Sequence, residues 1–76
     1  MNLRTQTIKS LKFCTDAESN RISNRLQQCN VRAKQANNQT KLINSIRTPQ
    51  QAAHLLENDL SILAIEYMFN GIWTKL

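Results

Sequence analysis

The C-terminal segment LSILAIEYMFNGIW, residues 60–73, carries apolar side chains on almost every side of whichever regular structure it adopts. At helical spacing this segment and the residues on either side of it form two apolar stripes, because position 62 lies about 200° around the helix from position 60. The first stripe comprises Ala53, Leu56, Leu60, Leu63 and Tyr67, and the second comprises Ile62, Ile65, Phe69, Ile72 and Leu76. A helix that is apolar on two sides must be covered on both.

The length of the chain limits how that surface can be covered. Seventy-six residues make a single domain, predicted over 1–76, and such a chain buries only about 60% of its unfolded surface.

Cys14 and Cys29 follow no export signal, so we expect two reduced, half-buried thiols rather than a disulfide. The longest apolar run is shorter than a membrane span of about 20 residues and contains Glu66. We therefore expect a cytoplasmic protein without membrane insertion.

Two capping boxes mark where helices begin. Thr15 precedes Glu18 by three residues, and Thr48 precedes Gln51 by three residues, with Pro49 at the first helical position. Low glycine and proline content supports the same interpretation. These signals predict an all-α fold, in which a short N-terminal helix is followed by an antiparallel helical hairpin.

The three predicted helices cover about 2–13, 16–38 or 16–46, and 49–69. Asn37 and Asn38 are poor helix formers, so a break at 37–40 is preferred. Gly71 suits the C-terminus of the third helix. The second and third helices are predicted to pack along a coiled-coil-like seam. This hairpin core comprises Ile22, Leu26, Cys29, Ala33, Ala36, Ala53, Leu56, Leu60, Leu63 and Tyr67.

The second stripe of the third helix lacks a cover within this hairpin. It is predicted to bind a partner or a second copy of the chain, since a large exposed apolar patch marks an interaction site. The predicted partner-binding residues are Ile62, Ile65, Phe69, Ile72 and Trp73. In the alternative interpretation, the first helix covers this stripe with Leu3, Ile8, Leu11 and Phe13.

The net charge of +5 is unevenly distributed. Residues 1–48 contain nine Lys and Arg against two acidic residues, and residues 49–76 contain one against three. Such asymmetry suits a nucleic-acid-binding face, here with Arg21, Arg25, Arg32 and Lys34 on one predicted helix. The segment has no aromatic platform and no helix-turn-helix spacing. We therefore rank a protein-binding role first. The alternative function is that of a basic helical regulator that binds nucleic acid or another protein.

Residues for catalysis or metal binding are scarce. His54 is the only histidine, and with Cys14 and Cys29 it does not approach a zinc pattern. No glycine-rich phosphate loop occurs, and Asp59 and Glu66 have no predicted pocket that would shift their pKa values. We therefore expect a non-enzyme without metal, cofactor or small-molecule ligand.

Three short stretches carry a resemblance to a known family. They are Thr48-Pro-Gln-Gln51, Leu55-Leu-Glu57 and the run Ile62-Leu-Ala-Ile-Glu-Tyr67. With the size of the chain and its predicted hairpin, they resemble the YscE/SsaE/EscE family of bacterial type III secretion. The resemblance implies a small cytoplasmic co-chaperone in virulence-related protein transport. It implies that the chain binds a TPR-like partner chaperone and helps to keep a needle subunit monomeric. A needle-like, self-assembling subunit is the other alternative.

Overall fold

A computed structural model describes residues 3–76, and position 2 of the first predicted helix lies outside them. The described residues form three helices and four strands, 45% helical and 28% strand. The helices are α1 (Leu3–Lys12), α2 (Asp16–Gln28) and α3 (Pro49–Asn58). The strands are β1 (Val31–Gln35), β2 (Thr40–Ile43), β3 (Ile62–Phe69) and β4 (Ile72–Lys75). The all-α prediction, with its helical hairpin and coiled coil, is therefore wrong.

The predicted helix starts are confirmed. Thr15 caps α2, where its hydroxyl accepts a hydrogen bond from the Glu18 amide at 3.2 Å. Thr48 caps α3 in the same way, accepting from the Gln51 amide at 3.2 Å, with Pro49 in the first turn. These contacts satisfy amides that a helix leaves without a partner in its first turn. Both helices then end early, at Gln28 and Asn58, rather than continuing to 38 and 69.

The sheet is antiparallel, with strand order β2-β1-β3-β4. After α1, the chain makes two successive helix–hairpin units, α2-β1-β2 and α3-β3-β4, and their inner strands β1 and β3 pair at the centre. The β3–β4 turn is Asn70-Gly71, with φ of 53° and 79°. Positive φ at both central residues of a two-residue loop matches the twist of a hairpin. Gly71 therefore serves a hairpin turn and not a helix end.

A β-bulge explains why β3 resembles a helix in sequence. Lys34 pairs with Ala64 and Gln35 pairs with Ile62, so Leu63 is an extra residue opposite β1. The bulge places both Ile62 and Ile65 on the same side of the sheet although they are three residues apart. A spacing of three is typical of a helix, and in this strand it results from the inserted residue.

The helices lie on one side of the sheet, and the core is between them. α1 packs along α3, where Ala52 and Ala53 are fully buried and allow close approach. The Lys12–Glu57 ion pair also links these two helices. Arg4 donates to the carbonyl oxygens of Asp59 and Ile62. The buried apolar residues are Leu11, Leu26, Val31, Ala33, Ile46, Ala52, Ala53, Leu56, Ile62 and Ile65.

Candidate functional site

The two faces of the sheet differ in what covers them. Side chains alternate along a strand, and directly opposed residues on paired strands share a face. Val31, Ala33 and Ile65 are buried against the helices, and the face that carries them is the inner face. The opposite side of the sheet is the outer face. It carries the alternate residues of each strand, and none of these side chains is buried. It comprises Arg32, Lys34, Thr40, Leu42, Ala64, Glu66, Met68, Trp73 and Lys75.

One row of the outer face crosses all four strands. Leu42 pairs with Arg32, Arg32 pairs with Glu66, and Glu66 pairs with Lys75. Strands lie about 4.8 Å apart, so the row spans roughly 14 Å. Lys34 flanks the row on one side and Trp73 on the other. Three cations and one carboxylate give this face a net charge of +2.

Arg32 lies at the centre of the outer face and is held there by two contacts. Its Nε donates to Oε1 of Glu66 at 2.8 Å, and its Cζ lies 4.1 Å from the centroid of the Trp73 ring. The two charged side chains are 24% and 17% exposed, so the ion pair is partly shielded from water. A guanidinium has five N–H donors, and the Nε contact with Glu66 uses one of them. Arg32 is thus oriented and retains donor capacity.

The structure separates the five predicted partner-binding residues. Ile62 and Ile65 are core residues, 4% and 1% exposed. Phe69 and Ile72 are exposed near the β3–β4 turn, where they pair on the inner face, and Trp73 lies on the outer face. They form no continuous stripe, because residues 62–75 are two strands rather than one helix. The core covers part of this segment, and Ile8 and Leu11 of α1 contribute to that core.

The predicted hairpin core is also divided. Leu26, Ala33, Ala53 and Leu56 are buried in the common core. Ile22, Cys29 and Tyr67 are half-buried, whereas Ala36, Leu60 and Leu63 are exposed. The seam required the second helix to continue beyond residue 29 to Ala36, and the chain forms the β1–β2 hairpin from Val31 instead. Leu60 lies in the connection before β3, and Leu63 is the bulge residue.

The four cations assigned to one basic helix lie on two elements. Arg21 and Arg25 are on α2, and the Arg25 guanidinium lies 3.6 Å from the centroid of the Phe69 ring. Arg32 and Lys34 are on the outer face of β1. The fold brings Trp73 beside Arg32 although 41 positions separate them, which supplies the aromatic group that the basic segment lacks. Two alternating pairs in the sequence, Arg32-x-Lys34 and Trp73-x-Lys75, were the signals that could have indicated a shared strand face.

Other reactive groups in residues 3–76 do not assemble into a site. No three His, Cys, Asp or Glu side chains in this range are placed to hold a metal ion. Cys14 and Cys29 are free thiols, and His54 contacts Asn58 on the surface of α3. The hydroxyl and then the amide of Ser61 lower the pKa of Asp59 by donating to its carboxylate. That carboxylate closes the turn between α3 and β3.

The fold and the outer face define a small two-layer protein with helices on one side of an antiparallel sheet and an open basic surface on the other. Comparison with family models, curated proteins and solved structures finds no match. Function is therefore inferred from the geometry of the outer face. Separately, no helix within residues 3–76 has the length and apolar character needed to span a bilayer.

Proposed function

We propose that the chain is a non-catalytic module that binds single-stranded nucleic acid on the outer face. The observation that carries this proposal is the position of Arg32, which is tied to Glu66 and stacked on Trp73 on a face that also carries the exposed Lys34 and Lys75. Aromatic rings and guanidinium planes both stack on unpaired bases. Lysines beside them attract the phosphate backbone.

Charge and shape favour a single strand. The net charge of +5 promotes encounter with a polyanion. Lys34 on β1 and Lys75 on the edge strand β4 share the open face two strands apart, so phosphates of one strand can contact both. A base stacks on Arg32 or Trp73 only when it is not already stacked within a duplex. Because Arg32 is already oriented, binding loses less side-chain entropy than it would with a free arginine.

The predicted secretion co-chaperone function stays a prediction. It depended on a helical hairpin, which is not the fold of this chain, and on an exposed Ile62 and Ile65, which are core residues. A needle-like, self-assembling role depended on the same hairpin. We also propose a cytoplasmic location for the module, where Cys14 and Cys29 would stay reduced.

Replacing Lys34 by alanine tests the electrostatic part of the proposal. Loss of one phosphate contact makes the slope of log affinity against log salt concentration less steep by roughly 0.7. At 0.1 M salt this corresponds to roughly fivefold weaker binding. The measurement is fluorescence anisotropy of a labelled single strand of about 12 nucleotides, titrated at several salt concentrations. Lys34 is exposed, so the variant should fold as the wild type does.

Lys9→Ala is the charge-matched control. Lys9 is exposed on α1, which packs on the helical side of the molecule, and its loss changes the net charge by the same amount. We expect the salt slope of Lys9→Ala to equal that of the wild type. Equal losses in both variants would show that binding follows net charge rather than the outer face, and the proposal would then be wrong.

A further inference from the structure

The sheet ends in two edge strands, β2 and β4, and within residues 3–76 each of them has a neighbouring strand on one side only. Backbone N–H and C=O groups on the open side of an edge strand are a template for pairing with another strand. β4 packs mainly on β3, and its Ile72 side chain is 68% exposed. The open side of β4 is therefore accessible to a second chain.

The register of the β3–β4 hairpin identifies the backbone groups on the open side of β4. In an antiparallel pair, every second pair of opposed residues exchanges hydrogen bonds. On β4 these are the residues at even positions, since the ladder continues to the Leu76 amide, which donates to the Ile65 carbonyl oxygen at 2.9 Å. The N–H and C=O groups of Trp73 and Lys75 therefore point away from β3, toward the open side.

We infer that β4 pairs antiparallel with β4 of a second copy of the chain, about a two-fold axis at Thr74. In this register the open backbone groups of Trp73 lie opposite those of Lys75 in the second copy, so that they exchange hydrogen bonds. The side chains match as well. On the outer face, the Lys75 ammonium lies beside the Trp73 ring of the second copy, a favourable cation–π arrangement. On the inner face, the exposed Ile72 meets Leu76 of the second copy.

The other edge strand lacks this self-complementarity. The Gln35 amide donates to the Gln39 carbonyl oxygen, and the alternation from that pair leaves the backbone groups of Thr40 and Leu42 on the open side of β2. The equivalent two-fold register would place Lys41 directly opposite Lys41 of the second copy. Like charges directly opposed destabilise a strand pair, and an inward-pointing lysine protects an edge from pairing. Two-fold pairing is therefore specific to β4.

Pairing of β4 needs no nucleic acid, so it is independent of the proposed function. It places the outer faces of two copies side by side on one continuous sheet, with the two Trp73 rings on either side of the axis. An edge of this length buries less area than a standard protein interface, so we expect a weak, reversible dimer that forms in the upper micromolar range.

Sedimentation velocity of the wild-type protein without nucleic acid, from micromolar to millimolar concentration, measures the association. Thr74→Glu and Thr74→Lys each place like charges opposite one another at the axis, and each should weaken the dimer by roughly tenfold or more. An equimolar mixture of the two variants should form a heterodimer, because opposite charges then meet at the axis. Thr40→Glu is the matched control, since it makes the same substitution on the exposed edge of β2 and should dimerise as the wild type does.

Restored association in the mixture would support both the strand and the register, because a misfolded variant would not recover on mixing. A wild type that stays monomeric at millimolar concentration overturns the inference. Assemblies larger than a dimer also overturn it, since they require a head-to-tail contact rather than a two-fold one. If Thr74→Glu dimerises as the wild type does, or if the mixture stays monomeric, the interface or its register is different and the inference is equally overturned.

Discussion

Ile65→Ala is expected to lower the free energy of unfolding by about 2–5 kcal/mol, the range for truncating a fully buried isoleucine. Ile65 is 1% exposed and lies opposite Ala33 at the centre of the sheet, against the helical layer. A domain of this size has a total stability of roughly 4–11 kcal/mol, so the loss is a large fraction of it. Urea denaturation followed by circular dichroism measures the change.

Ile72→Ala is the matched control, because it removes the same atoms from a side chain that is 68% exposed. We expect it to lower the free energy of unfolding by less than about 1 kcal/mol. The helical interpretation placed Ile65 and Ile72 on one stripe and made them equivalent. Equal losses of stability in the two variants would therefore contradict the sheet and favour that stripe.

Trp73→Ala is expected to weaken binding of a single-stranded oligonucleotide roughly 5- to 150-fold, because stacking of a base on an aromatic ring contributes about 1–3 kcal/mol. The substitution also removes the ring on which Arg32 is stacked, so the guanidinium loses its fixed orientation. Fluorescence anisotropy at constant salt measures the affinity. A thermal melt establishes that the variant is folded at the temperature of the assay.

Phe69→Ala provides the matched control for Trp73→Ala. Phe69 is also stacked with an arginine, Arg25, but it lies on the inner face beside Tyr67. We expect Phe69→Ala to bind as the wild type does, and Trp73→Phe to retain part of the affinity. A loss in Phe69→Ala that matches the loss in Trp73→Ala would place binding on the pair formed by Arg25 of α2 and Phe69 of β3 instead.

Local chemistry in the sequence was sufficient to locate the helix starts. A capping hydroxyl acts on an amide three residues away, so Thr15 and Thr48 identify the first turns of α2 and α3 without knowledge of the rest of the chain. Helix ends were not found in this way. Cys29, which follows α2, has an extended backbone and is neither glycine nor asparagine, so it carries no C-cap signal.

The strands were missed because two of their features imitate a helix. The bulge at Leu63 gives β3 a spacing of three between inward residues, and Ala33 falls at helical spacing from Leu26 and Cys29. The clearest opposing signal was Asn70-Gly71 between apolar residues, which is typical of a two-residue hairpin. Its interpretation as a helix end followed from the assumption that residues 49–69 were helical.

The candidate site depends on contacts that no local pattern contains. Arg32 and Lys34 were recognised as part of a basic segment, and the alternation shows that they share a strand face. Trp73 reaches Arg32 only because β1 pairs with β3 and β3 pairs with β4 in one register. A shift of one residue in either pairing would move Trp73 to the inner face. Register across three strands is a property of the whole core.

The central claim is that the outer face binds single-stranded nucleic acid, and a nuclear magnetic resonance titration of the isotope-labelled wild-type protein tests it most directly. On addition of a single-stranded oligonucleotide, we predict shifts of the backbone amides around Arg32 and Glu66 and of the Trp73 indole N–H, with α1 and α3 unchanged. A matched duplex should produce smaller shifts at the same concentration. Shifts confined to α2 around Arg21 and Arg25, or no shift at saturating oligonucleotide, would contradict the account.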